Sequence, residues 1–581
     1  MNISNIEITK KLREIATAYT LKKANNFQIK AYENAADVIE HGTSEIKDLW
    51  ENNELDQIPG LGENLTKYLD ELFKTGKVKH WEDVKKGIPS SVFEFLDIPG
   101  IGPQTALKLA KKGIKGLNDL EGKLRSGGLL KSGFSQKFID KLNRGFKESQ
   151  ILKTTRMLLP YAFTQAQKVL DYLKKEPSVE RVDVLGSLRR MVATIGDLDF
   201  AISSNNPQKV VDYIINMPGI KEVVGKGETK VTIVNSSGLH LDFLITKPES
   251  YGALLQHFTG SKMHNIHLRN IAKSKGFSLS ESGIKKMKTG DILKTRTEEE
   301  FYKFLGMDTP APEIREDTGE IEAAEDHRLP QLITLSNIKG DLHLHSNFQI
   351  EPSHDLGSSS FKELVTKAQE LGYEYIGMSE HQPSQSNHTE NQIVKIIQKK
   401  KEVIEQINYS QKYVRVLNLL ELDIMPDGSI SVPEKALKLL DFALAGMHSV
   451  HHQEKDQMTK RLVKALHNPY IKVLTHPTGR LLKEREESDA DWDEVFKTAV
   501  KYNKALEINA YPSRLDLSDS LVRKAKEFGV KFVINTDAHE TAQMELMLFG
   551  VAVARRGWLT KDDVINCWEW TKFAKWFNIK V

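Results

Sequence analysis

The spacing of apolar residues changes three times along this 581-residue chain, and that change limits the folds open to it. Up to about residue 150 apolar side chains recur at helical intervals, as in Leu65, Leu69 and Leu72, with Gly or Pro at the joints. From about 180 the period drops to two. Segments 181–185, 198–202, 229–234 and 239–245 read as strands, the last two joined through Ser236-Ser237-Gly238. Helical spacing returns near 253 and over 262–275. From 336 onward strand candidates (375–378, 473–474, 505–508 and 532–534) alternate with helical segments, which predicts a parallel α/β architecture, open or barrel. Between the last two regimes lie Pro310, Pro312 and seven acids from Glu313 to Asp326, a composition that predicts a linker. One core cannot serve such a length, so several domains are expected.

The hydrophobic fraction of 39% and charged fraction of 28% describe a globular chain rather than a disordered one. A single cysteine, Cys567, excludes an internal disulfide and a cysteine zinc cluster. The charged amphipathic N-terminus lacks a signal-peptide core, and no apolar run approaches the roughly 20 residues of a membrane span. The expected compartment is the cytoplasm, with no membrane partner. Net charge is only +3, but residues 101–150 hold eleven Lys/Arg against four Asp/Glu. Such a stretch is either a solvated helical face or a patch that meets a phosphate backbone.

An internal repeat bears on that choice. Ile58-Pro59-Gly60-Leu61-Gly62 precedes one helical pattern, and Ile98-Pro99-Gly100-Ile101-Gly102 precedes another forty residues later. Glycine pairs allow a left-handed backbone and close approach of a second backbone. The helix that follows begins with outward N–H groups, which suit phosphate. A grip of this kind holds a phosphodiester without reading bases. These segments resemble helix-hairpin-helix modules, and Gly60, Gly62, Gly100 and Gly102 are the expected DNA contacts.

Asp197 and Asp199, one residue apart on a strand, project from one face, and Asp242 lies in another alternating strand that could run alongside. Three converging carboxylates repel unless cations sit between them, and hard oxygen donors suit Mg²⁺. Upstream, Gly186-Ser187-Leu188-Arg189-Arg190 could offer N–H groups, a hydroxyl and a bidentate guanidinium to phosphate. Either motif alone is weak, because most D-x-D pairs on strands face solvent. Their combination and order resemble family X DNA polymerases, the group of DNA polymerase beta, over most of residues 1–320. The resemblance implies that Asp197, Asp199 and Asp242 are catalytic metal ligands, with Asp242 assisting deprotonation of the primer 3′-hydroxyl. Gly186, Ser187, Arg190 and Gly196 would contact the triphosphate of a dNTP. His257, Phe258 and Gly260, in a segment matching YFTGS, would lie against its sugar. Asn265 and Arg269, one helical turn apart, would touch the nascent pair and the template. Lys30 and Tyr32 would hold a downstream 5′-phosphate. Departures are His257 for the family's tyrosine, Thr194 for an acid, and Leu244 and His240 for arginines. Tyr68 occupies the place of the family's lyase lysine and Lys67 is merely adjacent, so a Schiff-base lyase activity is not expected.

Eleven of the eighteen histidines follow residue 331. His343, His345, His381, Glu421, His448, His476, Asp537 and His539 nearly all fall at C-terminal ends of candidate strands, which share one mouth in a parallel barrel. Imidazole with carboxylate suits Zn²⁺, Mn²⁺ or Fe²⁺. Any single histidine of this set would pass as structural, but eight residues in register with strand ends would not. Their order resembles the PHP (polymerase and histidinol phosphatase) domain over 336–581, which bacterial family X polymerases carry C-terminally. The implied activity is a 3′–5′ exonuclease holding Mn²⁺ or Zn²⁺, with abasic-site endonuclease and 3′-phosphatase activities as further options. One acid of the family pattern is replaced by Ile350, and Glu351 or Asp355 would have to substitute.

The resulting expectation is a multidomain α/β and α+β chain. It comprises an N-terminal helical domain (1–88), a second helical domain (89–150), a nucleotidyltransferase palm (151–250), a thumb (251–310), a linker (311–335) and a PHP-type distorted α/β barrel (336–581). Expected partners are gapped or primer–template DNA and dNTPs, acting on a monomer with Mg²⁺ in the palm. Competing readings keep the barrel as a scaffold, make the chain a small-molecule phosphoesterase, or make synthesis template-independent.

Overall fold

The computed structural model describes the chain apart from residues 1–2, 4, most of 41–60, 97, 99–100, 126–127, 132, 136–137, 140–141, 143–155, 237, 351–355, 385, 452, 484 and 580–581. It divides into two compact units, 1–156 and 157–581. No helix among the described residues is long and apolar enough to cross a membrane.

The first unit is helical. Asn5–Leu21, Asn26–Glu40, Glu63–Thr75 and Lys79–Lys85 bury one apolar stripe each in a core that includes Leu12, Ile15, Leu65, Leu69, Phe73 and Trp81. Ser90–Phe95, Pro103–Lys111 and Leu117–Arg125 build a second core around Val92, Phe95, Leu109 and Leu120. Tyr32 belongs to the first of these cores. It is 6% exposed and its hydroxyl accepts a hydrogen bond from Trp81 Nε1 at 3.3 Å. The expected phosphate contact at Tyr32 is therefore corrected to a packing role. Its position on Asn26–Glu40 points along the apolar stripe with Ala35, Ala36 and Ile39.

The second unit opens with a five-stranded mixed sheet. Its order is Arg181–Val184, Leu198–Ser203, His240–Thr246, Lys230–Asn235 and Ile220–Lys226. The central pair runs parallel and its neighbours antiparallel. Phe200 and Phe243 stack at 5.2 Å within the sheet's core, to which helices Leu159–Leu173 and Pro207–Ile215 contribute. Helices Tyr251–Thr259 and Lys262–Ser274 follow, then a small antiparallel sheet and helix Glu298–Phe304.

Residues 311–335 are not the expected open linker. They form a 3-10 turn at Pro312–Ile314 and a helix at Glu320–Glu325, with Arg315 and Glu320 fully buried. The acids that suggested solvation each find a base: Glu313 pairs with Arg555, Glu316 with Arg190 and Arg556, Asp317 with His267, Glu320 with His264, and Glu325 with Lys275. Ion-paired to arginine or lysine, or hydrogen-bonded to histidine, an acidic stretch can pack.

The remainder is a parallel barrel. Gly340–Leu344, Tyr375–Met378 and Arg415–Asn418 form one sheet, and Glu421–Asp423, Ala443–Gly446, Ile471–Leu474, Ala505–Asn509 and Lys531–Asn535 another. Parallel bridges His381 to Glu421 and Leu344 to Ala538 join the two sheets into a ring. Arg415–Asn418 runs almost directly into Glu421–Asp423. Buried on both faces, the strands are nearly all apolar, which is why alternation was absent here.

Candidate functional site

Asp199 and Asp242 face each other as register partners on the parallel strands Leu198–Ser203 and His240–Thr246. Asp197 stands just before the first of these strands and is exposed. Burial, then the charges of Asp197 and Asp242, push the Asp199 carboxyl up to about 8. Asp242 accepts a hydrogen bond from Thr232 Oγ1 at 2.5 Å and lies 3.3 Å from Lys230 Nζ, both on the neighbouring strand. Thr232 and Lys230 were missed in the sequence. Their signal is the alternation of Lys230–Asn235, which puts both on the face of Asp242.

Gly186 shows why the turn needs glycine. Its φ is +56°, and a Cβ there would stand 2.8 Å from Asp199 Oδ2. The turn Gly186–Arg189 is thus seated against the acid, and Leu185 N–H donates to the Asp199 carbonyl at 2.8 Å. Ser187 lies in this turn, and exposed Gly196 immediately precedes Asp197.

The two arginines of the turn are anchored. Arg190 Nε donates to Glu316 at 3.0 Å and its Nη1 to the Thr259 carbonyl at 2.5 Å. Arg189 pairs with Glu298 at 2.5 Å, and the other Glu298 oxygen takes the fully buried Arg315. Despite its burial, Glu298 is held down to about 2 by these guanidinium groups, Arg315 first. Gly260 (φ +69°) follows helix Tyr251–Thr259, which carries His257 and Phe258; their rings meet edge to face at 4.9 Å. Asn265 is fixed by the His257 carbonyl at 2.7 Å and by Gln256 at 2.8 Å. Arg269 lies one turn further along Lys262–Ser274, half-buried. His264, on the same helix just before Asn265, is buried against Glu320 at 2.6 Å and Tyr302 at 2.8 Å, a link that sequence reading did not find.

In the first unit, Gly62 and Gly102 are N-caps of Glu63–Thr75 and Pro103–Lys111. Their φ values, −75° and −89°, are ordinary, so these two positions do not use the left-handed backbone that glycine permits. Among the described residues, a Cβ at either would meet nothing within 4 Å. Gly60 and Gly100 lie outside the described residues. Lys30 is exposed and paired with Glu33 at 2.9 Å. Tyr68 stacks on His80 at 4.9 Å, and Lys67 is exposed.

At the barrel mouth all eight expected residues converge. Three groups bring their ligand atoms within 4.8 Å of one another: His345, His381 and His539; His343, His345 and Asp537; His381, Glu421 and His448. The more open palm trio is not among these groups. Glu421 is central. One of its oxygens lies 3.0 Å from His448 Nε2 and 2.8 Å from His476 Nε2, and the other lies 3.0 Å from His381 Nδ1 and 3.3 Å from His343 Nε2. His343 Nε2 and His345 Nε2 are buried, make no hydrogen bond, and face Asp537 at 3.5 and 3.2 Å. Imidazole lone pairs converging on carboxylates fit divalent cations. Burial, with a smaller effect of nearby cationic groups, pushes His345 and His476 down to about 4, so both offer neutral rings at neutral pH. Burial opposes ionisation of Glu421 and Asp537, yet the surrounding imidazoles hold both well below the usual carboxylate range.

Glu507 was missed. It is fully buried and accepts from His343 Nδ1 at 2.8 Å, from the His476 N–H at 2.7 Å and from Asn535 Nδ2 at 2.8 Å. It thereby fixes the His343 tautomer, leaving Nε2 for a cation. An acid inside the otherwise apolar strand 505–508 was the available signal. Ile350 is fully buried among core side chains, so the described residues place no acid there, and Glu351 and Asp355 lie outside them. The mouth opens into a cavity of about 950 Å³ lined also by His451, Arg485 and Arg514.

Comparison with known proteins agrees with both halves of this picture. Residues 3–78 match the helix-hairpin-helix domain family and 254–316 the DNA polymerase beta thumb family. The chain is 34% identical over 570 residues to the DNA polymerase/3′–5′ exonuclease PolX of Bacillus subtilis, covering 96% of this chain and 97% of that protein. It is 27% identical over 322 residues to DNA polymerase lambda of Arabidopsis thaliana, 49% of this chain and 57% of that one. Over 163 residues it is 30% identical to a probable phosphatase of Thermoanaerobacter, 26% of this chain and 64% of that one.

Proposed function

This chain belongs to the family X DNA polymerases, in the bacterial form with a C-terminal PHP domain, and on that premise we propose a gap-filling repair polymerase with a 3′–5′ exonuclease that trims DNA ends. The observation that carries the palm reading is the Asp199–Asp242 register with the Gly186 turn seated against Asp199. Asp197, Asp199 and Asp242 hold Mg²⁺, and His343, His345, His381, Glu421, His448, His476, Asp537 and His539 hold Mn²⁺ or Zn²⁺. Bound cations supply charge neutralisation at the attacking and leaving oxygens in the palm and polarisation of a phosphodiester in the barrel.

The chain's own groups do the rest. Asp242 draws the proton from the primer 3′-hydroxyl. Ser187, Arg190 and the N–H groups of Gly186 and Gly196 hold the triphosphate. His257, Phe258 and the Gly260 turn pack on the sugar, while Asn265 and Arg269 contact the nascent pair and template. The helical domains, 1–88 and 89–150, grip the DNA backbone through the starts of Glu63–Thr75 and Pro103–Lys111, aided by Lys30. The protein works as a cytoplasmic monomer.

The test is a one-nucleotide-gap extension with Mg²⁺ beside a 3′-end trimming assay with Mn²⁺. Asp242→Ala should lose extension by at least about a hundredfold and keep trimming, and His343→Ala should do the reverse. Equal extension by Asp242→Ala would refute the polymerase assignment. Trimming undiminished in His343→Ala would leave the barrel as a scaffold.

A further inference from the structure

The triphosphate end of the palm is tied to the barrel by two arginines around one carboxylate. Glu316 Oε1 accepts from Arg190 Nε at 3.0 Å and also from Arg556 Nη1 at 2.9 Å. Arg556 ends helix Met547–Arg556 of the barrel, 366 residues from Arg190 in sequence. Its Nη1 donates to the Arg190 carbonyl at 2.8 Å and to the Glu313 carbonyl at 3.3 Å. Its opposite edge is clamped by Asp519, with Nε and Nη2 each 2.7 Å from Oδ2. The Arg556 side chain is 9% exposed and that of Arg190 14%, so these pairs are shielded from water, where charge-assisted hydrogen bonds fix geometry firmly.

We infer that Arg556, a residue of the nuclease domain, is a positioning residue for the polymerase reaction, setting how Arg190 meets the triphosphate of the incoming nucleotide. Two physical effects act in one direction. An arginine held at Nε and Nη1 loses less side-chain freedom when a ligand arrives. Glu316 is also a negative charge beside a site for a polyanion. Arg556 shares that charge; without it the carboxylate draws on Arg190 and weakens the field the triphosphate meets. The segment that sequence composition marks as a linker is therefore the piece through which one active site depends on the other domain. This inference rests on the reading of Arg190 as a triphosphate contact.

The experiment is steady-state one-nucleotide gap filling by the full chain with dNTP titrated. It compares wild type, Arg190→Ala, Arg556→Ala, Arg556→Lys and the Arg190→Ala/Arg556→Ala pair, with exonuclease activity and thermal melting recorded on each preparation. Arg556→Ala should raise the KM for dNTP by about threefold to twentyfold, with a smaller change in kcat and unchanged trimming. Arg556→Lys should recover part of the loss, and the double variant should resemble Arg190→Ala alone. If Arg190→Ala leaves KM at the wild-type value, the reading of Arg190 itself fails and the inference falls with it. If Arg190→Ala raises KM but Arg556→Ala does not, or the two effects add in full, the inference alone is overturned. Should Arg556→Ala fail to fold, Asp519→Ala releases Arg556 at its other edge and carries the same expectation; a wild-type KM there overturns the inference.

Discussion

Asp199 pays for its position with an ionisation that its neighbours oppose. Its folded pKa, about 8, lies well above the ordinary 3.8 because of burial and the charges of Asp197 and Asp242. A carboxyl whose folded pKa is raised binds its proton more tightly in the native state. Its stabilising contribution is present in full below about pH 4 and is lost as pH rises through about 8. Without divalent cation the protein should melt at a lower temperature at pH 8 than at pH 5, and Mg²⁺ should restore much of the difference. Asp199→Asn should flatten the metal-free profile over this range. An unchanged profile in that variant would place the pH dependence elsewhere. Glu507 acts in the other centre, and Glu507→Gln weakens the hydrogen bond that orients His343. Exonuclease activity should fall about tenfold to a hundredfold, with gap filling intact. A full-strength exonuclease would mean that His343 needs no such orientation.

At the scale of elements, strand register and helix starts place the chemistry. The Asp199–Asp242 pairing follows from the parallel register of two strands, and a one-residue slip would turn either carboxylate to the opposite face. The helix starts at Gly62 and Gly102 differ, because no described residue packs where a side chain at either would stand. Gly102→Ala should leave the melting temperature within a degree or so, since the new methyl meets open space and the φ is ordinary. Affinity for gapped DNA should nevertheless fall several-fold at fixed salt, because the methyl occupies the space a phosphate backbone would enter. Binding that matches wild type would remove this helix start from the DNA interface.

Across the second unit, segment 311–335 is ion-paired to both sides, Glu316 with Arg190 and Arg556 and Glu313 with Arg555. Arg315 is fully buried, its guanidinium on Glu298 and over the Tyr302 ring at 5.2 Å. Trypsin would cut an open linker at Arg315. In the native chain that bond should survive conditions that cleave after exposed Arg328, and mass analysis of the fragments reads the result. Rapid native-state cleavage after Arg315 would contradict the packed segment. Removing either partner of a buried pair like this costs about 3–5 kcal/mol, so the segment is integral to the fold.

The three converging aspartates, the eight histidines and acids gathered at the barrel mouth and the strand–helix alternation were legible in the sequence. Each rests on local spacing, such as the one-residue separation of Asp197 and Asp199 or the repeated placement of histidines after apolar strands; Asp197 nevertheless falls just before the strand on which both acids were expected. What the sequence could not disclose was pairing across distance. Glu507 beneath His343, Thr232 beside Asp242, and His264 against Glu320 depend on elements that meet only in the folded chain. Composition misassigned the acids of 311–335, because a charge reads as solvated until its partner is known. Tyr32 was misplaced because an aromatic hydroxyl serves a core as readily as a phosphate. The sequence determined which chemistry the chain carries. Tertiary structure decided which charges are neutralised and which side chains are held in place, because those depend on burial and on groups far apart along the chain.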